Sequence, residues 1–281
     1  MKRFSAMIIL LALFISFPSY GSVWKKSLAE AQAEARKKDQ LMLVEMYASW
    51  CGWCKKMAQE VFPSEAFQRA TENLVLLQLD TEDGEEGTKV SQDLQVRSLP
   101  TLMLLTPDMM IAGMITGYAP SKQFVQQLEN SLDQWESFQE KMKRDEAGKL
   151  KPAESLELVE EIASRRGFDE AEKRFTRLSK NSDAPLNVRS EAYYQLARLQ
   201  AFLGSHEEAI QSIRHLDNVA PEADASVRGQ VLLAEIYFLQ KDYDRALTEL
   251  KKFQSEHPDS PLMENVRRLL PRVRSAAASS N

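Results

Sequence analysis

The sequence predicts two domains of different class, an α/β domain with a central mixed sheet flanked by helices and then an all-α domain of helical repeats. Short apolar runs alternate with helical periodicity up to about residue 143, which is typical of a sheet covered by helices. Beyond residue 152 no segment has the pattern of a strand, and three related segments follow one another. A length of 281 residues also suits about two domains of ~150 residues each.

The elements of the α/β domain follow from local pattern. Ala, Glu and Lys at helical spacing predict a helix over 24–38, and the apolar run 41–47 predicts a strand buried on both faces. Ser64 is a suitable N-cap for a short helix. The remaining elements are helix 55–61, helix 65–71, strand 74–79, helix 85–94, strands 101–105 and 110–116 with a turn at Pro107, and an amphipathic helix 121–143.

The only two cysteines of the chain lie in Trp50-Cys51-Gly52-Trp53-Cys54-Lys55, directly after the strand 41–47. Two thiols three positions apart can face each other at the first turn of a helix and close a disulfide. A helix N-terminus stabilises a thiolate at Cys51, and Cys54 lies one turn further in. By itself the motif also fits half of a metal site or a structural bridge. The three histidines lie far downstream without ligand spacing, which argues against zinc or haem.

Glu45 lies inside the apolar strand 41–47. A carboxylate is costly to bury there, so its presence indicates a purpose such as acid–base chemistry. Burial would raise its pKa, which suits a general acid or base near neutral pH. The alternative is that Glu45 reaches solvent at a strand end.

The segment from Val44 to Lys55 resembles the core motif of the thioredoxin superfamily, and Lys56-Met57 with Val61-Phe62 resembles its W-C-x-W-C-K branch. Leu99-Pro100-Thr101 resembles the cis-proline loop of that fold, and Gly117-Tyr118 its later glycine. The resemblance implies that Cys51 attacks, that Cys54 resolves and that Glu45 shuttles a proton. It also implies a redox-active Cys51–Cys54 disulfide with no other cofactor. Trp50, Gly52, Trp53, Leu99 and Pro100 would form the surface that meets a substrate, although Trp50 could equally be a packing residue.

The C-terminal half contains three segments with alanine, aromatic and leucine residues at matching intervals. Their anchoring alanines, Ala171, Ala209 and Ala246, lie 38 and 37 residues apart. The pattern resembles tetratricopeptide repeats, whose usual period is ~34 residues, so short inserts between repeats are expected. Residues 261–274 are predicted to form a capping helix. Such repeats imply a concave surface that binds a protein partner.

The domain organisation predicted from these patterns is a signal peptide over 1–22, a thioredoxin-like domain over 23–144, a linker over 145–152 and helical repeats over 153–281. Lys2 and Arg3, the apolar run 4–17 and small residues near Ser22 have the order of a cleavable secretory signal, which predicts export to a bacterial periplasm. A net charge of −5 argues against a nucleic-acid partner.

The function predicted from the sequence is an exported thiol–disulfide oxidoreductase that reduces protein disulfides. Glu45 and Leu99 resemble the reducing members of the superfamily. An exported reductase needs electrons, so a membrane thiol reductase is the expected donor. The alternatives are a disulfide oxidase or isomerase, and an adaptor that binds proteins through its repeats without catalysis.

Overall fold

The computed structural model describes residues 24–279, so the predicted signal peptide over 1–22 lies outside the described residues. The chain divides into two compact units. Among the described residues, one contains 24–102 together with 115–129, and the other contains 103–114 together with 130–279. Within residues 24–279, no helix combines the length and the apolar character needed to cross a bilayer.

Four strands form one sheet: β1 (Met42–Tyr47), β2 (Val75–Asp80), β3 (Thr101–Leu105) and β4 (Ile111–Thr116), in the order β2-β1-β3-β4. Strands β1 and β2 are parallel, with Met42 opposite Val75 and Tyr47 opposite Asp80. The link from β3 to β4 spans only 106–110, and so short a connection requires the two strands to be antiparallel. The sheet is therefore mixed, which confirms the predicted fold class.

Five helices accompany the sheet: α1 (Leu28–Lys38), α2 (Gly52–Glu60), α3 (Glu65–Ala70), α4 (Glu86–Asp93) and α5 (Ser121–Glu146). The prediction that the first helix begins at Trp24 is wrong. The backbone of Lys25 instead pairs beside β2, where its N–H donates to the Leu76 carbonyl over 2.8 Å. The indole of Trp24 packs on Phe62 and Phe67, with ring centroids 4.8 and 6.2 Å apart, so this tertiary contact overrides helix propensity.

The second unit is largely helical, with α6 (Pro152–Ser164), α7 (Phe168–Ser179), α8 (Leu186–Phe202), α9 (His206–Val219), α10 (Asp224–Leu239), α11 (Tyr243–Glu256) and α12 (Met263–Ser279). These helices form three pairs and a last helix, as the repeat pattern predicted. The expected capping helix starts two residues later than 261 and runs to 279. The anchoring alanines Ala171, Ala209 and Ala246 are fully buried, which lets paired helices approach closely.

The turn inside each helical pair has the same construction. Three residues separate α6 from α7, α8 from α9 and α10 from α11, and the middle one has a positive φ in every case: Arg166 at 66°, Gly204 at 81° and Lys241 at 63°. A left-handed residue there ends one helix and reverses the chain. The loops between pairs are longer, at residues 180–185 and 220–223, which accounts for a period above ~34 residues.

Candidate active site around the Cys51–Cys54 disulfide

Cys51 and Cys54 form a disulfide at the N-terminus of α2. Cys51 is the N-cap residue, with an extended backbone, and its Sγ accepts the backbone N–H of Cys54 over 3.1 Å. Both cysteines are almost fully buried, at 3% and 4% exposure. A helix N-terminus directs free N–H groups and a partial positive charge at this sulfur, which favours the thiolate once the bond is reduced.

A tight turn brings the pair from β1 onto α2. The Cys51 N–H donates to the Ala48 carbonyl over 3.0 Å, and the Lys55 N–H donates to the Cys51 carbonyl over 3.1 Å as the first bond of the helix. Gly52 is exposed, and a methyl group in place of its hydrogen would meet no atom within 4 Å. The backbone between the two sulfurs is thus open to an approaching molecule.

Glu45 is 1% exposed, so the alternative that it reaches solvent at a strand end is wrong. Burial raises the pKa of its carboxyl to about 7, while a hydrogen bond from Gln78 and the charge of Lys26 act in the opposite direction. The Gln78 side-chain N–H donates to Glu45 Oε2 over 2.6 Å, and Lys26 Nζ donates to Gln78 Oε1 over 2.6 Å. A chain of two hydrogen bonds therefore links the buried acid to an exposed ammonium group.

Trp50 precedes Cys51, and Trp53 lies between the two cysteines. They are 65% and 57% exposed, so Trp50 is not a packing residue. The indole of Trp53 stacks on Tyr118, with ring centroids 5.2 Å apart, and Lys56 Nζ lies 4.8 Å from the Tyr118 centroid. The Tyr118 hydroxyl donates to Glu60 Oε2 over 2.5 Å. These contacts hold Trp53 in place while leaving its outer face free.

The Leu99–Pro100 peptide bond is cis, as the resemblance implied. Pro100 is buried and Leu99 is partly exposed. The Gly117 N–H donates to the Pro100 carbonyl over 2.8 Å, and Tyr118 follows at once with its stack on Trp53. These contacts connect the proline loop to the turn that follows β4, and connect that turn to α2, which carries the motif.

Sequence reasoning missed Gln78, Lys26 and the Tyr118 hydroxyl as parts of this site. Gln78 does leave a signal, because it is the one amide side chain in the otherwise apolar segment 75–79. Its position opposite Glu45 follows only from the register of β1 and β2. The described part of the chain holds no group of three or more His, Cys, Asp or Glu side chains suited to a metal ion.

Comparisons with known proteins agree with this arrangement. Residues 22–130 match the family model described as thioredoxin. This part of the chain is a thioredoxin domain. Residues 190–222 and 229–260 each match a tetratricopeptide-repeat model, so the second and third predicted repeats are confirmed.

The thioredoxin domain is similar to two curated relatives. The thiol:disulfide interchange protein DsbD of Yersinia enterocolitica serotype O:8 / biotype 1B is 34% identical over 101 residues, which are 35% of this chain and 18% of that protein. The thioredoxin-like protein CITRX, chloroplastic, of Arabidopsis thaliana is 37% identical over 86 residues, or 30% of this chain and 44% of that protein. The chain thus spans less than half the length of either relative.

Among solved structures, one described as a DsbH oxidoreductase is 17% identical and covers 40% of this chain and 84% of its own, with a TM-score of 0.36.

Proposed function

We propose that the protein is an exported thiol–disulfide oxidoreductase that reduces protein disulfides through the Cys51/Cys54 dithiol, with helical repeats that bind a protein partner. The observation that carries the proposal is the disulfide at the N-terminus of α2, beside an open glycine and two exposed tryptophans. Similarity to a thiol:disulfide interchange protein supports the same chemistry.

The reaction transfers two electrons from the reduced pair to the substrate. The Cys51 thiolate attacks one substrate sulfur, so a Cys51–substrate bond forms, the substrate S–S bond breaks, and the other substrate sulfur leaves as a thiolate that takes up a proton. Cys54 then attacks Cys51 Sγ, which releases the second substrate sulfur and regenerates the Cys51–Cys54 disulfide.

Glu45 is the proposed base for the second step, because Cys54 must lose its proton before it can attack. A carboxyl whose pKa burial raises to about 7 can accept that proton near neutral pH and return it in the reverse direction. Trp50, Trp53, Gly52, Leu99 and Pro100 are the proposed contact surface for the substrate.

The proposed location is the bacterial periplasm, where disulfides persist and a reductase is useful. The proposed electron donor is a membrane thiol reductase whose own dithiol becomes oxidised as Cys51–Cys54 is reduced. The repeats are the proposed site for a protein partner, since stacked helical pairs present extended concave surfaces.

Turnover of insulin disulfides tests the activity. The wild-type protein, reduced beforehand, should reduce insulin, Cys51→Ser should be inactive, and Cys54→Ala should stop at a Cys51–substrate mixed disulfide that gel electrophoresis detects. Mass spectrometry of such complexes trapped in cells would identify both the substrate and the donor. If the Cys51→Ser, Cys54→Ser double variant retains full biological activity and partner binding, the protein is an adaptor and not an oxidoreductase.

Equilibration with glutathione tests the direction of the reaction. A potential near the ~−270 mV of thioredoxin supports a reductase, whereas a potential near ~−120 mV supports an oxidase.

A further inference from the structure

A groove of about 900 Å³ lies in the helical unit, between the first halves of α6, α8 and α10 and the loop that joins α9 to α10. Its apolar lining includes Ala153, Leu156, Leu186, Val188, Val219 and Pro221. Leu186 is 52% exposed although it is a large apolar residue. The groove is of the size that holds a small ligand or a short segment of chain.

Carboxylates dominate the charged groups of this groove. Arg228 is the one basic residue among those that line it. The five acidic residues are Glu157, Glu160, Glu191, Glu222 and Asp224. Arg228 is already engaged, because it pairs with Glu191 and its Nε lies 2.9 Å from Asp224 Oδ2.

The other three acids, Glu157, Glu160 and Glu222, take part in no ion pair within 4 Å across residues 24–279. Partial burial and then the charges of Glu191 and Glu157 raise the pKa of Glu160, while Arg198 and Arg228 act against that rise. The groove therefore carries negative potential over an apolar floor.

The negative potential and the apolar floor together determine which kind of molecule can bind in the groove. An acidic molecule would be repelled, and a neutral apolar molecule would leave the carboxylates without partners as it displaced their water. A polypeptide segment with lysine or arginine beside apolar side chains satisfies both parts of the lining.

We propose that the groove between α6, α8 and α10 docks a cationic, apolar-anchored polypeptide segment of a partner protein. The inference deepens the proposed function by giving a chemical class to the partner of the repeats. It does not depend on the chemistry of Cys51 and Cys54, so either proposal can fail alone.

Fluorescence anisotropy with the full-length protein tests the inference. The probe is a labelled nine-residue peptide with lysines and leucines in alternation, and two analogues carry glutamate for each lysine or serine for each leucine. We expect saturable binding of the first probe, weakening of it by salt, and little binding of either analogue. Reversing two groove charges in Glu157→Lys, Glu160→Lys should weaken binding by at least ~10-fold.

The matched control is Glu136→Lys, Glu140→Lys, which makes the same change of net charge on exposed positions of α5 outside the groove. It should leave the affinity within about twofold of wild type, and insulin reduction by both double variants should match wild type. Equal binding of the glutamate analogue, or equal loss in both double variants, would overturn the proposal. A third outcome would also overturn it: the protein does not bind the probe but self-associates with rising concentration, and Glu157→Lys, Glu160→Lys abolishes that self-association. A second copy of the chain would then be the occupant of the groove.

Discussion

Among single residues, Glu45 makes the stability of the thioredoxin domain depend on pH. Burial raises the pKa of Glu45 from its ordinary 4.5 to about 7, so between those pH values the unfolded chain has lost a proton that the folded chain retains. The free energy of unfolding should therefore fall as pH rises from 4.5 to 7 and then level off.

Glu45→Gln removes this dependence. We expect the oxidised variant to be more stable than wild type by about 3 kcal/mol at pH 8 and close to wild type at pH 4.5. Urea unfolding at the two pH values measures the difference. A stability change of equal size at both values would contradict the assignment.

Gln78 is a proposed positioning residue, because its side-chain N–H donates to Glu45. In wild type, the rate at which Cys54 resolves a Cys51–substrate mixed disulfide should rise with pH around 7, as Glu45 becomes the carboxylate. Gln78→Leu removes the hydrogen bond that favours the charged form and disconnects Lys26 from the acid. The midpoint should move to higher pH in stopped-flow profiles, whereas Gln139→Leu, at an exposed position of α5, should leave it in place.

At the scale of elements, the first turn of α2 carries exposed Gly52 and Trp53, which belong to the proposed contact surface for the substrate. Trp53→Ala should lower kcat/KM for a protein disulfide about tenfold, because a fixed aromatic surface supplies binding energy of ~1–2 kcal/mol. Reduction of a small disulfide such as oxidised glutathione should change little. Phe202→Ala removes another exposed aromatic side chain, from α8, and serves as the control. A proportional loss for both substrates would indicate that Trp53 tunes the thiols and does not contact the substrate.

The turns within the helical pairs differ in their middle residue, whose positive φ strains the backbone unless that residue is glycine. Gly204 adopts a φ of 81° without steric cost, whereas Lys241 holds a φ of 63° with a side chain attached. We expect Gly204→Ala to lower the free energy of unfolding by ~1 kcal/mol, and Lys241→Gly to raise it by ~0.5–1 kcal/mol. Thermal and urea unfolding check both signs, and Gly52→Ala, whose φ is not positive, provides a reference.

At the scale of the whole molecule, local pattern predicted the type and order of nearly all elements, because periodicity and capping act within a few residues. It failed where distant segments meet. Trp24 leaves the predicted helix because it packs on Phe62 and Phe67. Gln78 reaches Glu45 across 33 residues of sequence, a pairing that strand register creates. The motif alone indicated the cysteine pair, but it did not indicate the chain of hydrogen bonds from Lys26 through Gln78 to Glu45.

At Asp145 the structure differs most from what the sequence pattern predicted. The polar stretch that begins there predicted a linker, yet Asp145 is buried near the end of α5 and pairs with Arg174 and Arg177. Arg174 is also buried, and its remaining nitrogens pair with Glu146 over 2.7 Å and Glu170 over 2.5 Å. The predicted boundary over 145–152 stays a prediction, but its first residue belongs to the packed interior of the second unit.

Removing one partner of this buried network should be costly, because the other charge loses its compensation away from water. Arg174→Leu should lower the free energy of unfolding by about 3–5 kcal/mol. Arg177→Leu should cost at most ~1 kcal/mol, since its side chain is largely exposed. The double variant Asp145→Leu, Arg174→Leu should recover much of the loss, because an apolar pair leaves neither of those two charges buried and unpaired. Urea unfolding of wild type, Asp145→Leu, Arg174→Leu and the double variant completes the cycle, with Arg177→Leu measured beside them. A loss in the double variant equal to the sum of the two single losses would show that Asp145 and Arg174 are not coupled.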